Sequence, residues 1–83
     1  MEITNIRVKR IENDSKLKAW VSVTFDDVFV VHNIKVIQGQ EEMFIAMPNR
    51  LTKDGALKDI AHPISVEFRQ TLQDKVLEAY QHA

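Results

Sequence analysis

The sequence contains no cysteine, two glycines, two prolines and one tryptophan in 83 residues. Without cysteine there are no disulfides and no thiolate metal sites, a pattern that fits a reducing compartment, so the cytoplasm is the expected location. Gly39 and Gly55 alone cannot build a glycine-rich phosphate loop. No apolar run approaches the ~20 residues a helix needs to cross a bilayer, and no secretory leader is read, so no membrane association is expected. Neither sign of charge dominates: 11 Lys and Arg stand against 12 Asp and Glu, a net charge of -1. A polyanion-binding surface would therefore have to arise from geometry and not from composition.

What is present describes one ordinary folded domain over residues 1–83, with 45% apolar and 28% charged residues. A chain of this size can bury a core but is near the lower limit for standing alone, and pairing with a second copy would help. "EITNIRVKRI" alternates, with Ile6 and Val8 on one face and Arg7 and Lys9 on the other, which reads as a half-buried strand. "ENDS", residues 12–15, is a turn cluster. "KLKAWVSVTF" alternates again, and Asp26–Asp27 suits a tight two-residue turn, though primed turns favour glycine. "VFVVHNIKVI" is a third strand and "EMFIAMP" a fourth, stopped by Pro48. Beyond Pro63, Ser65 is a predicted N-cap with Glu67 in the first turn. Phe68, Leu72, Val76 and Tyr80 recur at intervals of four, an amphipathic helical stripe. The expected fold class is α+β: an antiparallel meander with one C-terminal helix on its apolar face.

Closing the first hairpin across residues 12–15 and the second across Asp26–Asp27 predicts two outward rows, Lys9–Lys18–Lys35 and Arg7–Trp20–Asn33. Both lie opposite Val8, Ala19, Val21 and Ile34. Like charges facing one another cost roughly 0.2–1 kcal/mol per pair, which an anionic partner would relieve. Trp20 could stack on a base or accept Arg7. Equally, lysines on a solvated strand face need no partner, and a one-residue slip would move them all to the other side.

The residues between the two prolines form a basic loop. From Asn49 to Lys58, Arg50, Lys53 and Lys58 stand against Asp54, a local +2. Cations on a loop reach phosphates that a flat sheet cannot, and Pro48 and Pro63 restrict its two ends. On the residues alone, an ordinary exposed connection with a short edge strand at Asp59–Ile60–Ala61 is slightly the better reading. Exposed positions of the helix sum to -1, unlike a recognition helix in a major groove, although Arg69, Gln70 and Gln73 could donate to phosphates or bases. His32 is expected to be partly buried and hydrogen-bonded. Asp59, His62 and Ser65 lie too close in sequence to converge as a triad, and two ligands are too few for zinc, so no catalytic residue, metal or cofactor is expected.

"FVVHNIKVI", "FIAMPNR", the turn "KDG" and "KDIAHPI", in that order and at close spacing, resemble the SpoVG family of bacterial septation proteins. The likeness runs from "EITNIRVKRI" to the helix. It implies a small α+β protein that forms a homodimer through sheet edges, binds DNA and in several cases RNA, takes no small-molecule substrate, and regulates septation and sporulation or virulence and envelope genes. It also implies nucleic-acid contact by basic residues after "MPN". Arg50 matches the first of these; Leu51 replaces a usual second basic residue, with Lys53 two positions on. The residues set out as nucleic-acid contacts are thus Arg50, Lys53 and Lys58, a secondary field of Arg7, Lys9, Lys18 and Lys35, and Arg69. The competing reading is a protein-interaction module of the division machinery, with nucleic acid incidental.

Overall fold

The computed structural model describes residues 1–12 and 15–83. Strands β1 (Ile3–Arg10), β2 (Leu17–Phe25), β3 (Phe29–Gln38) and β4 (Met43–Ala46) form one antiparallel sheet in sequential order. Strands β5 (Asn49–Leu51) and β6 (Leu57–Asp59) pair separately as a hairpin, and α1 (Val66–Gln81) closes the chain. The α+β meander with one C-terminal helix is therefore observed. Part of the 12–15 turn cluster lies outside the described residues.

The strict alternation of β2 explains its role. Ala19, Val21, Val23 and Phe25 are buried while the residues between them are half-exposed. On the same face lie Ile34 and Val36 of β3, Ile45 of β4 and Met47, and α1 covers them with Leu72 and Val76. Burying a side chain of this kind stabilises by about 1.5–3 kcal/mol, so this single apolar layer is the main cohesive term. Phe68, Leu77 and Tyr80 flank the layer, in keeping with the four-residue stripe. Gln73 ties the helix to β4, its Oε1 accepting from the Ile45 N–H at 3.2 Å.

Two turns depend on local chemistry. Asp26 and Asp27 both adopt positive φ (52° and 56°), making the primed turn without glycine, and the Val28 N–H donates to the Phe25 carbonyl at 3.0 Å. Left-handed backbone costs such residues roughly 1–2 kcal/mol each. Three bonds to the start of β1 offset that: the Asp26 N–H to the Glu2 carbonyl at 2.8 Å, the Glu2 N–H to Asp26 Oδ1 at 2.9 Å, and the Asp27 N–H to Thr4 Oγ1 at 3.0 Å. At the β3–β4 turn the constraint is space: a Cβ on Gly39 would stand 2.7 Å from the Glu42 carbonyl oxygen, which already accepts the Gly39 N–H.

Both helix ends are fastened by side chains. At the start, Ser65 Oγ accepts the Phe68 N–H at 3.0 Å and donates to Glu67 Oε2 at 3.0 Å. The Glu67 carboxyl is held below its ordinary range, first by its own backbone N–H and then by the Ser65 hydroxyl. At the far end the last turn has no basic residue of its own. Arg10 of β1 supplies it: Nη2 donates to the Tyr80 carbonyl at 2.6 Å, Nε to the Ala83 carbonyl at 3.0 Å, and the guanidinium lies 4.1 Å from the centre of the Tyr80 ring. A cation at a helix C-terminus offsets the unsatisfied carbonyls there.

Ser65→Ala should lower stability by about 1 kcal/mol, a melting shift of roughly 4–8 °C for a domain of this size. Because the Glu67 pKa is depressed in the folded state, its contribution is present at neutral pH and lost as pH falls through that depressed value. The gap between wild type and Ser65→Ala should accordingly narrow in acid, leaving the pH-independent cap; a gap that widens in acid would contradict the assignment. Arg10→Ala should cost a similar amount, and Arg10→Lys, which cannot donate as a fork, should recover only part of it in the same melting measurement.

Candidate nucleic-acid interface

Every turn sets the register of the strand that follows it, and through register the cations on the outer sheet face. β1 pairs with β2 so that Lys9 faces Trp20 and Arg7 faces Ser22. This is two residues away from the expected register, because Ser15 and Lys16 lie outside the strands and lengthen the connection. Ile11, expected opposite Lys16, instead donates its N–H to the Lys18 carbonyl at 2.9 Å. Since the displacement is two and not one, Arg7 and Lys9 keep the outward face.

β3 reaches the same outcome by two single steps. Val28 is an extra residue after the aspartate turn, so Phe25 faces Phe29. A bulge then places His32 and Asn33 together opposite Ser22, between the pairs Val23–Val31 and Val21–Ile34. Asn33 takes φ 66°, a left-handed conformation its short amide side chain tolerates, and His32 Nδ1 lies 2.8 Å from Ser22 Oγ. His32 is therefore hydrogen-bonded as expected but exposed, not partly buried.

The observed row is Lys9–Trp20–Lys35, and it replaces both predicted rows. Lys18 is displaced from it: it sits at the register shift between Leu17 and Ala19, half-buried. Trp20 faces Lys35 and not Asn33, with the ammonium 5.6 Å from the ring centre. Arg7 belongs to a separate polar depression whose lining includes Asp27 and His32.

The loop between the prolines is not an irregular arm. β5 and β6 pair with Arg50 directly opposite Lys58, Asn49 opposite Asp59 and Leu51 opposite Leu57. Alternation puts Arg50 and Lys58 on one face of the hairpin and the two leucines, 68% and 70% exposed, on the other. The edge strand anticipated at Asp59–Ile60–Ala61 forms instead at Leu57–Asp59. Its inclusion of Asp59 brings the hairpin to three cations against two carboxylates. Gly55, at φ 84°, turns the tip, where the Thr52 N–H donates to the Ala56 carbonyl at 2.8 Å. Thr52 Oγ1 donates to Asp54 Oδ1 at 2.5 Å, and this bond holds the Asp54 carboxyl below its usual range. The tip's hydrogen bonds thereby occupy Thr52, Asp54 and Ala56, while Arg50, Lys53 and Lys58 are exposed outside them.

The base of the hairpin joins the two basic regions. Pro48 is buried, and its carbonyl accepts the Ile60 N–H at 2.7 Å. Pro48, Asn49 and Ile60 line a notch together with Trp20, Asn33 and Lys35. The hairpin that carries Arg50 and Lys58 is thus rooted beside Trp20 and Lys35. Arg69 lies elsewhere: it is exposed on the helix, which packs on the opposite face of the sheet. Gln70 and Gln73 are already used, the first donating to Asp74 Oδ1 at 2.8 Å and the second bound to β4. His62 Nδ1 lies 3.0 Å from the Pro63 carbonyl, and Ser65 is committed to the helix cap.

A model of the SpoVG family matches residues 1–82. A protein of Clostridium beijerinckii carrying the SpoVG septation-protein name is 57% identical over 83 residues, covering 100% of this chain and 91% of its own length. A similarly named protein of Desulforudis audaxviator is 51% identical over 82 residues, 99% of this chain and 93% of its own. One from Caldicellulosiruptor saccharolyticus is 53% identical over 81 residues, with 98% and 92% coverage. With its fold, its hairpin between the two prolines and agreement along nearly its whole length, the chain belongs to the SpoVG family.

Proposed function

We propose that this protein is a homodimeric cytoplasmic regulator that binds DNA and RNA and acts in septation or sporulation, or on envelope and virulence gene expression. The septation-protein names of its relatives support the cellular role. One observation carries the molecular reading. Arg50 and Lys58 oppose each other, exposed, on a hairpin whose base at Pro48, Asn49 and Ile60 lines the notch beside Trp20 and Lys35. Two cations held face to face raise the hairpin's free energy by up to about 1 kcal/mol, and a phosphate between them reverses that sign. Lys53 at the tip adds reach. The site positions a backbone more than it reads bases, so sequence preference would be modest.

Dimerisation is supported by the unfinished side of the sheet. β4 pairs only with Lys35–Gln38, leaving Phe29–Asn33 of β3 with an open edge. Phe29 is 60% exposed there, and beside it lies an apolar groove of about 350 Å³. A second copy covering that groove doubles the hairpins, so each site's three cations become six. Phe29→Lys should shift the species in sedimentation velocity from dimer to monomer, since a charge on an open edge opposes strand pairing. A wild-type protein that sediments as a monomer at micromolar concentration would refute the dimer.

Binding should weaken linearly in log–log form as salt rises. Arg50→Ala with Lys58→Ala should make the slope shallower by about 2 per protomer, with thermal stability unchanged or slightly raised. An anisotropy titration at several salt concentrations measures both affinity and slope, and an unaltered slope in the double variant would remove the hairpin as the anchor.

The exposed Leu51–Leu57 pair and Ile60 favour one other reading, an interaction module of the division machinery. Under it, protein partners recovered by pull-down survive nuclease treatment and are lost with Leu51→Lys.

A further inference from the structure

Trp20 is the chain's single tryptophan, and it stands half-buried on the hydrophilic face of the sheet, away from the apolar layer beneath the helix. Its neighbours across the strands are both lysines, Lys9 and Lys35. Two strand spacings set these about 10 Å apart, one on each side of the ring. Beside the ring is the notch of about 260 Å³ at the hairpin base, with Pro48 and Ile60 as apolar walls and the Asn33 and Asn49 amides on its lining. The bulge is what brings Asn33 there.

We propose that this notch is a binding site for one unpaired nucleobase, stacked on Trp20, so that the preferred ligand is single-stranded nucleic acid. This rests on the preceding reading that the protein binds nucleic acid, and adds which form it takes. A stacked base needs a free face, which a paired base within a duplex does not offer. Pro48 and Ile60 exclude water from the ring's edge, and the Asn33 amide can donate or accept to meet a base edge of any identity, while Asn49 Nδ2 donates to the Met47 carbonyl at 3.3 Å. Lys35 now sits over the indole at 5.6 Å. An incoming base displaces that ammonium toward the strand's phosphate, exchanging an exposed cation–π contact for a charge-assisted one. Lys9 meets the backbone on the other side. Sequence tolerance follows, because every base has a π-face.

The single tryptophan makes the test direct. The full-length protein is titrated with a 20-residue oligothymidylate, with the same strand annealed to its complement, and with inorganic polyphosphate. Tryptophan emission is followed together with competition against a labelled single strand. The single strand should quench Trp20 strongly, the duplex weakly, and polyphosphate not at all. Trp20→Ala should weaken single-strand binding roughly 5- to 150-fold, the range for one stacked base, while leaving duplex and polyphosphate affinity unchanged; Trp20→Phe should recover most of it. Equal quenching by polyphosphate, or a Trp20→Ala protein that binds the single strand as wild type does, overturns the proposal. Should Trp20→Ala fail to fold, wild-type quenching decides together with the affinity of Trp20→Leu, which keeps an apolar side chain without a π-face and should weaken single-strand binding as alanine does. Polyphosphate and duplex binding with a silent Trp20 overturns this inference alone, whereas no binding to any of the three overturns the nucleic-acid reading as well.

Discussion

One helix covering one face of a four-stranded sheet is the constraint from which the remaining features follow. Leu72 and Val76 can be buried only if β2, β3 and β4 present Ala19, Val21, Ile34, Val36 and Ile45 together. That requirement decides which register is acceptable, because a one-residue slip turns an apolar strand face into the solvent. It also leaves the other face uncovered. A surface that the helix does not cover tolerates charge, so Lys9, Lys35, Arg7 and His32 collect there as a consequence of where the helix lies, with Trp20 half-buried among them.

The two irregularities in β3 make sense within that frame. The extra Val28 displaces pairing by one residue, and left uncorrected it would expose Ile34 and Val36. The bulge at His32–Asn33 displaces it by one more, in the same direction, and the inward set is recovered. A pair of local defects therefore costs less than a misdirected core, since a single exposed leucine-sized side chain forfeits about 1.5–3 kcal/mol. Asn33 suits the second position because an asparagine enters left-handed backbone more easily than a branched residue. The functional side effect is that the same bulge brings Asn33 to the rim of the Trp20 notch.

The strand order, the helix and its N-cap were legible in the sequence because each rests on short-range signals: alternation in "KLKAWVSVTF", the four-residue stripe, and Ser65 just before the first helical turn. Pair identities were not. Alternation says which face a residue takes but not which neighbour it meets, and neighbour identity depends on bulges that leave no mark in a hydrophobic pattern. Lys18 was placed in the wrong row for that reason, while Lys9 and Lys35 survived because their displacements were even. The Arg50–Lys58 pairing was hidden differently. Three-residue strands are too short to show a period, and "KDG" signals a turn without showing that its flanks pair. Arg10 is a long-range case. Its fork closes a helix end that lies 70 residues further along, and no local pattern announces such a partner.

A chain with more carboxylates than cations is an unexpected candidate for a polyanion, and what matters is where the charges lie. Asp26 accepts from the start of β1, Asp54 from Thr52, Glu67 from Ser65, and Asp74 from Gln70. Three of these carboxylates lie at the β2–β3 turn or on the helix, while Asp54 sits at the tip of the hairpin itself. Arg50, Lys53, Lys58 and Lys9, by contrast, project as exposed side chains. A near-zero net charge is compatible with a local excess of cations, three against two carboxylates on the hairpin. Such an excess favours docking in one orientation and little attraction elsewhere, because at physiological ionic strength charges separated by more than about 8 Å are largely screened from one another. For a partner at the hairpin and the Trp20 row, the distant carboxylates of the helix and the β2–β3 turn therefore count for little, and Arg50, Lys53 and Lys58 against Asp54 and Asp59, with Lys9 and Lys35 on the sheet, determine the sign of the field that it meets.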